Sequence, residues 1–142
     1  MKKYIIFGIV LVVAGLLYGV IDFAKAKKEK ETLISYNRDI RPVLSDKCFS
    51  CHGPDVSKVK AGLRLDLPAS AFAELEKNKG HYAIVPGFPE KSDLITRIES
   101  NDPAIMMPLP ESHLAKLTKE EIALFKRWIK EGAKYEKHWA FV

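Results

Sequence analysis

Cys48 and Cys51 are the two cysteines of this 142-residue chain, and His52 directly follows the second. Two thiols three positions apart with an imidazole behind them can do three kinds of chemistry. They can close a disulfide, ligate a structural metal, or form thioethers to the two vinyl groups of one porphyrin edge while the imidazole faces the iron. A disulfide leaves His52 without a role. A thioredoxin-like redox pair calls for a strand leading in and a helix leading out, whereas Gly53-Pro54 stops a helix just after this pair. Zinc needs four ligands, and no second C-x-x-C or H-x-x-x-H is present; His81, His113 and His138 stand singly. The spacing C-x-x-C-H reads as a c-type haem attachment site. On that reading Cys48 and Cys51 carry the thioethers and His52 is the proximal iron ligand.

A haem held in this way needs a second axial ligand on its opposite face. The stretch "NDPAIMMPLPESH", residues 101–113, offers Met106 and Met107 beside Pro108 and Pro110, and these are the only methionines apart from Met1. Pro108 fixes its own φ and denies the chain a helix, which suits an extended loop presenting a thioether. Methionine also fills gaps in cores, and two adjacent residues of an extended segment point in opposite directions. One methionine is therefore expected to ligate while the other packs. Met107, next to the proline, is the favoured ligand, Met106 its rival and His113 a third candidate.

The elements around these residues have to enclose a flat prosthetic group. Tyr36, Ile40, Val43 and Leu44 fall at i, i+4, i+7 and i+8, one face of a helix, which Pro42 bends or delays. In "AGLRLDLP", residues 61–68, Leu63, Leu65 and Leu67 alternate with Arg64 and Asp66. These leucines can cover a haem face, and Arg64 is a candidate for a haem propionate; a short half-buried strand with a solvent-facing Arg64 accounts for the pattern equally well. "IVPGFPEKSDLITRIES" gives a turn at Pro86-Gly87 and then Ser92 as the N-cap of a short helix with Leu94, Ile95 and Ile98 inward. Thr118-Lys119-Glu120-Glu121 is a capping box, with Leu117 and Ile122 at the staple positions. Ile122, Phe125 and Ile129 form the buried stripe of that last helix, Leu124 and Trp128 lie beside it, and Gly132 closes it.

Composition bounds the partners. With 47% hydrophobic and 29% charged residues the chain has no disordered-class signature. Its formal net charge is +5, of which residues 27–142 carry +3, and there is no dense basic block beyond residues 25–30. Nucleic acid is excluded as an expected partner. Lys2 and Lys3 precede eighteen uncharged residues, Tyr4–Ile21, about 27 Å of helix and close to the thickness of a bilayer core. That is long for a signal-peptide core, so a retained transmembrane anchor is favoured, although Ala24-Lys25-Ala26 resembles a cleavage site. Counting positive charge before and after this segment slightly opposes export. The haem reading decides the orientation and puts residues 27 onward outside.

Taken in order, "YNRDIRPVLSDKCFSCHGPD", "AGLRLDL", "IVPGFPEKSDLITRI", "MMPLP", "LTKEEIALFKRWIKEGA" and "YEKHWAFV" resemble the planctomycete-type cytochrome c domain, a branch of the class I cytochrome c fold. The resemblance covers residues 36–142. It implies an all-α helical domain around one covalent haem c, held by Cys48 and Cys51, with His52 proximal and the methionine of the Met-Pro motif, Met107, distal. Leu109 stands where the family commonly has a proline, a change that leaves the ligand in place. Such domains usually open a longer polypeptide, so further domains are among the expected partners. The expected organisation is a signal anchor or signal peptide over 1–26, a charged tether over 27–35 and the cytochrome c domain over 36–142. The expected function is a membrane-tethered electron carrier at the bacterial inner membrane, haem domain on the periplasmic side, exchanging single electrons with redox partner proteins. The alternative is a haem-bearing sensing or docking module for an associated enzyme. A peroxidase is not expected, because no distal acid–base pair accompanies the motifs.

Overall fold

Pro42 has no amide hydrogen to give, so an unbroken α-helix cannot run through it from Tyr36. The chain takes one wider turn instead. Tyr36–Ile40 form a π-helical turn, closed by the Arg41 amide on the Tyr36 carbonyl, and α1, Arg41–Lys47, then begins with Pro42 in its first turn. The expected face survives: Tyr36, Ile40 and Leu44 are buried and Val43 packs against them. This computed structural model describes Gly15, Gly19 and residues 33–137.

The chain divides into two units, Met1–Leu33 and Ile34–Val142. In the first, Gly15 and Gly19 are helical and exposed. The remainder of the apolar segment and the tether as far as residue 32 lie outside the described residues, as does His138. Among the described residues no helix is long and apolar enough to cross a membrane.

Within the second unit, α1 is followed by α2 (Phe49–His52), α3 (Pro68–Ala71), a two-stranded hairpin of β1 (Glu74–Leu75) and β2 (Asn78–Tyr82), α4 (Asp93–Glu99) and α5 (Lys119–Lys130). Short 3-10 turns lie at Pro89–Lys91 and Pro110–Ser112. The hairpin corrects the all-α expectation: the domain is helical with one small antiparallel sheet, pairing Glu74 with Tyr82 and Leu75 with Asn78. Its sequence, "ELEKNKGHY", contains no β-branched residue and no alternation, so local preference does not announce a strand. What holds it is the Glu74 carboxylate, which accepts from the Gly80 amide at 2.7 Å and from Lys79 at 3.4 Å, with Gly80 at φ +80°. Residues 63–67 are not a strand. Leu65 alone of the three leucines is fully buried, and Leu67 is exposed.

The last helix is assembled as its sequence states. Thr118 accepts from the Glu121 amide at 3.1 Å, and the Glu121 carboxylate accepts from the Thr118 amide at 2.7 Å. At the other end the Gly132 amide reaches the Ile129 carbonyl and the Ala133 amide the Trp128 carbonyl, the paired closure that a residue at φ +100° permits. The buried stripe is Phe125, Trp128 and Ile129, with Ile122 at its half-buried margin. Ser92 departs from expectation. It sits at the N-cap of α4 but makes no capping bond. Its buried hydroxyl accepts from the Val85 amide at 2.9 Å and donates to the Phe88 carbonyl at 3.0 Å, bracing the preceding turn.

The two ends of this unit meet in an aromatic cluster. Tyr36 lies 5.8 Å from Trp128 and 4.5 Å from Tyr135 between ring centroids, and Phe72 joins Tyr135 at 5.7 Å. Glu136 then caps the first helical turn, accepting from the Tyr36 and Asn37 amides at 3.2 and 3.1 Å.

Burial pushes the Tyr36 phenol from its ordinary 10.0 up to about 12 and raises that of Tyr135 further. A folded-state pKa raised above the unfolded value gives stability that is complete below the unfolded pKa and drains as pH climbs through the folded one. The urea midpoint should therefore hold up to roughly pH 10 and decline above it through the folded-state range. Tyr36→Phe should make that decline shallower. Equal slopes in the two proteins would contradict this assignment.

Candidate functional site

The site begins at a break between helices. Cys48 closes α1 through its amide on the Leu44 carbonyl, 2.8 Å, and its own carbonyl accepts from Cys51 and His52 at 3.1 and 2.8 Å. Its φ of −128° turns the chain into the single turn of α2, which carries Cys51 and His52 onto one side. Gly53 ends that turn. A Cβ there would meet the Phe49 carbonyl oxygen and lie within 2.6 Å of the Phe49 Cβ, so the chain leaves the motif over Phe49 with no space for a side chain.

His52 is held from behind. Its Nδ1 lies 3.2 Å from the Leu63 carbonyl oxygen. A carbonyl can only accept, so Nδ1 carries the proton and Nε2 is the ring nitrogen available to a ligand. Burial keeps the imidazole pKa below its ordinary value, more than offsetting the opposite effect of the Leu63 carbonyl. The ring is thus a neutral donor. Segment 60–65 that supplies this carbonyl is fastened to the motif by two backbone bonds, Lys60 amide to Cys51 carbonyl at 2.9 Å and Leu65 amide to His52 carbonyl at 2.8 Å.

On the same cavity, Met107 is set by α4. Its amide donates to the Arg97 carbonyl at 3.0 Å, and the Met106 amide to the Asp102 carbonyl at 2.8 Å. The Met107–Pro108 peptide bond is cis. The two methionines part company. Met106 is buried and is not among the cavity's lining residues, whereas Met107 lines it.

One cavity of about 570 Å³ brings Cys48, Cys51, His52 and Met107 together, with Leu63, Leu65, Leu94 and Ile98 among its apolar walls. That volume falls within the roughly 300–1,000 Å³ of ordinary cofactor sites. Both thiols are free, and burial pushes Cys48 up to about 12, a protonated thiol. Among the described residues no three His, Cys, Asp or Glu side chains converge as a metal site. Two thiols, a neutral imidazole, a thioether and apolar walls are a donor set that fits a covalent haem.

Two of the sequence candidates lie off the cavity lining. Arg64 does not line the cavity; its guanidinium is paired with Asp66. His113 is exposed, at φ +57°, and lies outside the lining. The arginine that does line the cavity is Arg97. The signal for it was present: Leu94, Arg97 and Ile98 stand at i, i+3 and i+4 on one face of α4.

Residues 48–111 match the family described as Planctomycete cytochrome C. The cytochrome c resemblance is borne out over that span. It opens on the first cysteine and closes just past the Met-Pro loop, so the planctomycete cytochrome c match contains Cys48, Cys51, His52 and Met107, while α1 and α5 lie outside it. No curated protein and no solved structure matches the chain. What the match suggests is haem binding, with electron transfer as the usual role of the matched family.

Gly53→Ala should cost about 1–3 kcal/mol, because the new methyl meets backbone and cannot be relieved by a side-chain rotation. Thermal unfolding of the two proteins measures it, and an unchanged midpoint would show that the chain does not pass this close to Phe49.

Proposed function

We propose that residues 36–142 hold a single haem c through thioethers to Cys48 and Cys51, with His52 and Met107 as axial ligands, and that the protein carries single electrons. The observation that supports this most is the convergence of those four side chains on one cavity. Such a haem supplies one-electron chemistry, and methionine ligation favours a higher reduction potential than a second histidine would. The chain's own contribution is positional. The Leu63 carbonyl fixes the His52 tautomer, the Arg97 carbonyl fixes the Met107 backbone, and Leu63, Leu65, Leu94 and Ile98 keep water from the space between.

On this reading the uncharged run Tyr4–Ile21 tethers the domain to the bacterial inner membrane, with residues 27 onward on the periplasmic side. Other redox proteins deliver and remove the electrons. With both axial positions filled by protein, no position is left for oxygen or peroxide, which is why the proposed role is electron carriage and not oxidative catalysis.

A pyridine haemochrome spectrum with the intact mass of the membrane-bound protein tests attachment, haem number and processing together. Wild-type reduced protein should not bind carbon monoxide. Met107→Ala should bind it readily, lose the far-red charge-transfer band that methionine gives ferric haem, and fall in midpoint potential. Met106→Ala should keep the band and the potential. If the two variants exchange these behaviours, Met106 is the ligand; if undenatured wild-type protein binds carbon monoxide, the closed His/Met pair is wrong.

A further inference from the structure

Segment 60–65 supports His52 through bonds that are short-range in sequence: Lys60 to Cys51, Leu65 to His52, and His52 Nδ1 to Leu63. The Arg64 amide adds a bond to the Ser70 hydroxyl at 2.9 Å. A segment stitched only to its neighbours can move with them. One bond ties it to the far end of the fold: the Tyr135 hydroxyl donates to the Leu65 carbonyl at 3.0 Å, across 70 positions.

Tyr135 is itself rigidly placed. Its ring stands 4.5 Å from Tyr36, 5.3 Å from Trp128 and 5.7 Å from Phe72 between centroids. The Trp128 indole donates to the Lys134 carbonyl next to it at 3.1 Å. The hydroxyl is therefore a fixed point carried by the junction of the first and last helices. Leu65, buried, presents the same peptide neighbourhood to both Tyr135 and the motif: its carbonyl accepts from the phenol while its amide donates to His52.

We propose that Tyr135 is a positioning residue for His52, its hydroxyl fixing Leu65 and with it the Leu63 carbonyl that orients the imidazole. This rests on His52 as the proximal ligand. The Nδ1–H···O=C bond makes the ring a stronger donor to a metal, which favours ferric over ferrous iron. Releasing Leu65 slackens that bond, so the midpoint potential should rise. The rings would be undisturbed by removing one oxygen, which separates positioning from packing.

The test uses the detergent-solubilised full-length protein as wild type, Tyr135→Phe and Tyr36→Phe, the last carrying the same change in the same cluster without the bond to Leu65. Amide exchange at Leu65 and the His52 Nδ1 ring proton are followed by NMR, and the midpoint potential by redox titration. Tyr135→Phe should speed Leu65 exchange roughly tenfold, the factor implied by one ordinary hydrogen bond, shift the ring proton and raise the potential, with the methionine band retained. Tyr36→Phe should leave all of these near wild type. Unchanged exchange and ring proton in Tyr135→Phe would overturn the proposal, as would equal shifts in both variants. Faster exchange with an unmoved ring proton would show an anchored loop that does not position His52, and would also overturn it. Absence of a haemochrome in the wild type is a different failure, that of the haem reading, and leaves the two NMR measurements to decide the positioning.

Discussion

A histidine that must offer one nitrogen to a cavity has to have the other committed, or the ring can turn and either tautomer will serve. In this domain the commitment is the bond between His52 Nδ1 and the Leu63 carbonyl, and much of the local architecture exists to hold that carbonyl still. Gly53 lets the chain leave the motif over Phe49, and the Lys60 and Leu65 amides draw the following loop back onto it. The loop then lays Leu63 and Leu65 along the cavity wall. A nine-residue detour between the cysteines and segment 61–65 thus makes a wall out of residues that have no regular secondary structure of their own. Backbone bonds do here what a strand ladder would do elsewhere, and they leave the side chains free to be apolar.

Local signals in the chain were the ones most directly legible. The capping box at Thr118 and Glu121, the closure at Gly132, the inward face Leu94, Ile95 and Ile98, and the stripe Tyr36, Ile40, Leu44 all depend on spacing within one or two turns. Spacing is written in the sequence. The hairpin was not, because it is held by one carboxylate reaching a glycine amide six positions away and not by strand-forming residues. Ser92 shows a subtler limit. Its position at a helix start was readable, but the amides of that first turn find backbone carbonyls, Leu94 on Ala83 and Ile95 on Ser92, and the half-buried Val85 amide takes the hydroxyl.

The same distinction separates Arg64 from Arg97. Arg64 looked useful because it sits between leucines, yet an aspartate two residues on offers it a partner at no conformational distance. Arg97 carries no signal by residue type, and only the helical period that places it beside Leu94 and Ile98 puts it on the cavity. For the two methionines, the expectation that neighbours in an extended segment face apart was enough to require a division of labour. It could not say which one faced inward. That depends on where the Arg97 carbonyl lies when α4 is packed, a tertiary fact.

The spacing of the His52 and Met107 segments is set by helices and not by the loops that carry these two residues. Met107 hangs on the Arg97 carbonyl, and α4 packs against α5 with Lys126 and Glu99 paired at 2.6 Å on their margin. In turn α5 packs against the turn that leads into α1, through Trp128 and Tyr36, and α1 ends at Cys48. The path from Met107 to His52 therefore runs through one backbone hydrogen bond and then through packed helices. Loops alone could flex and change that spacing; a path of packed helices transmits little of such motion. That explains why the terminal helices, which contribute nothing to the cavity's donor atoms and lie outside the family match, are still part of the site. They fix the gap that the His52 and Met107 walls must span.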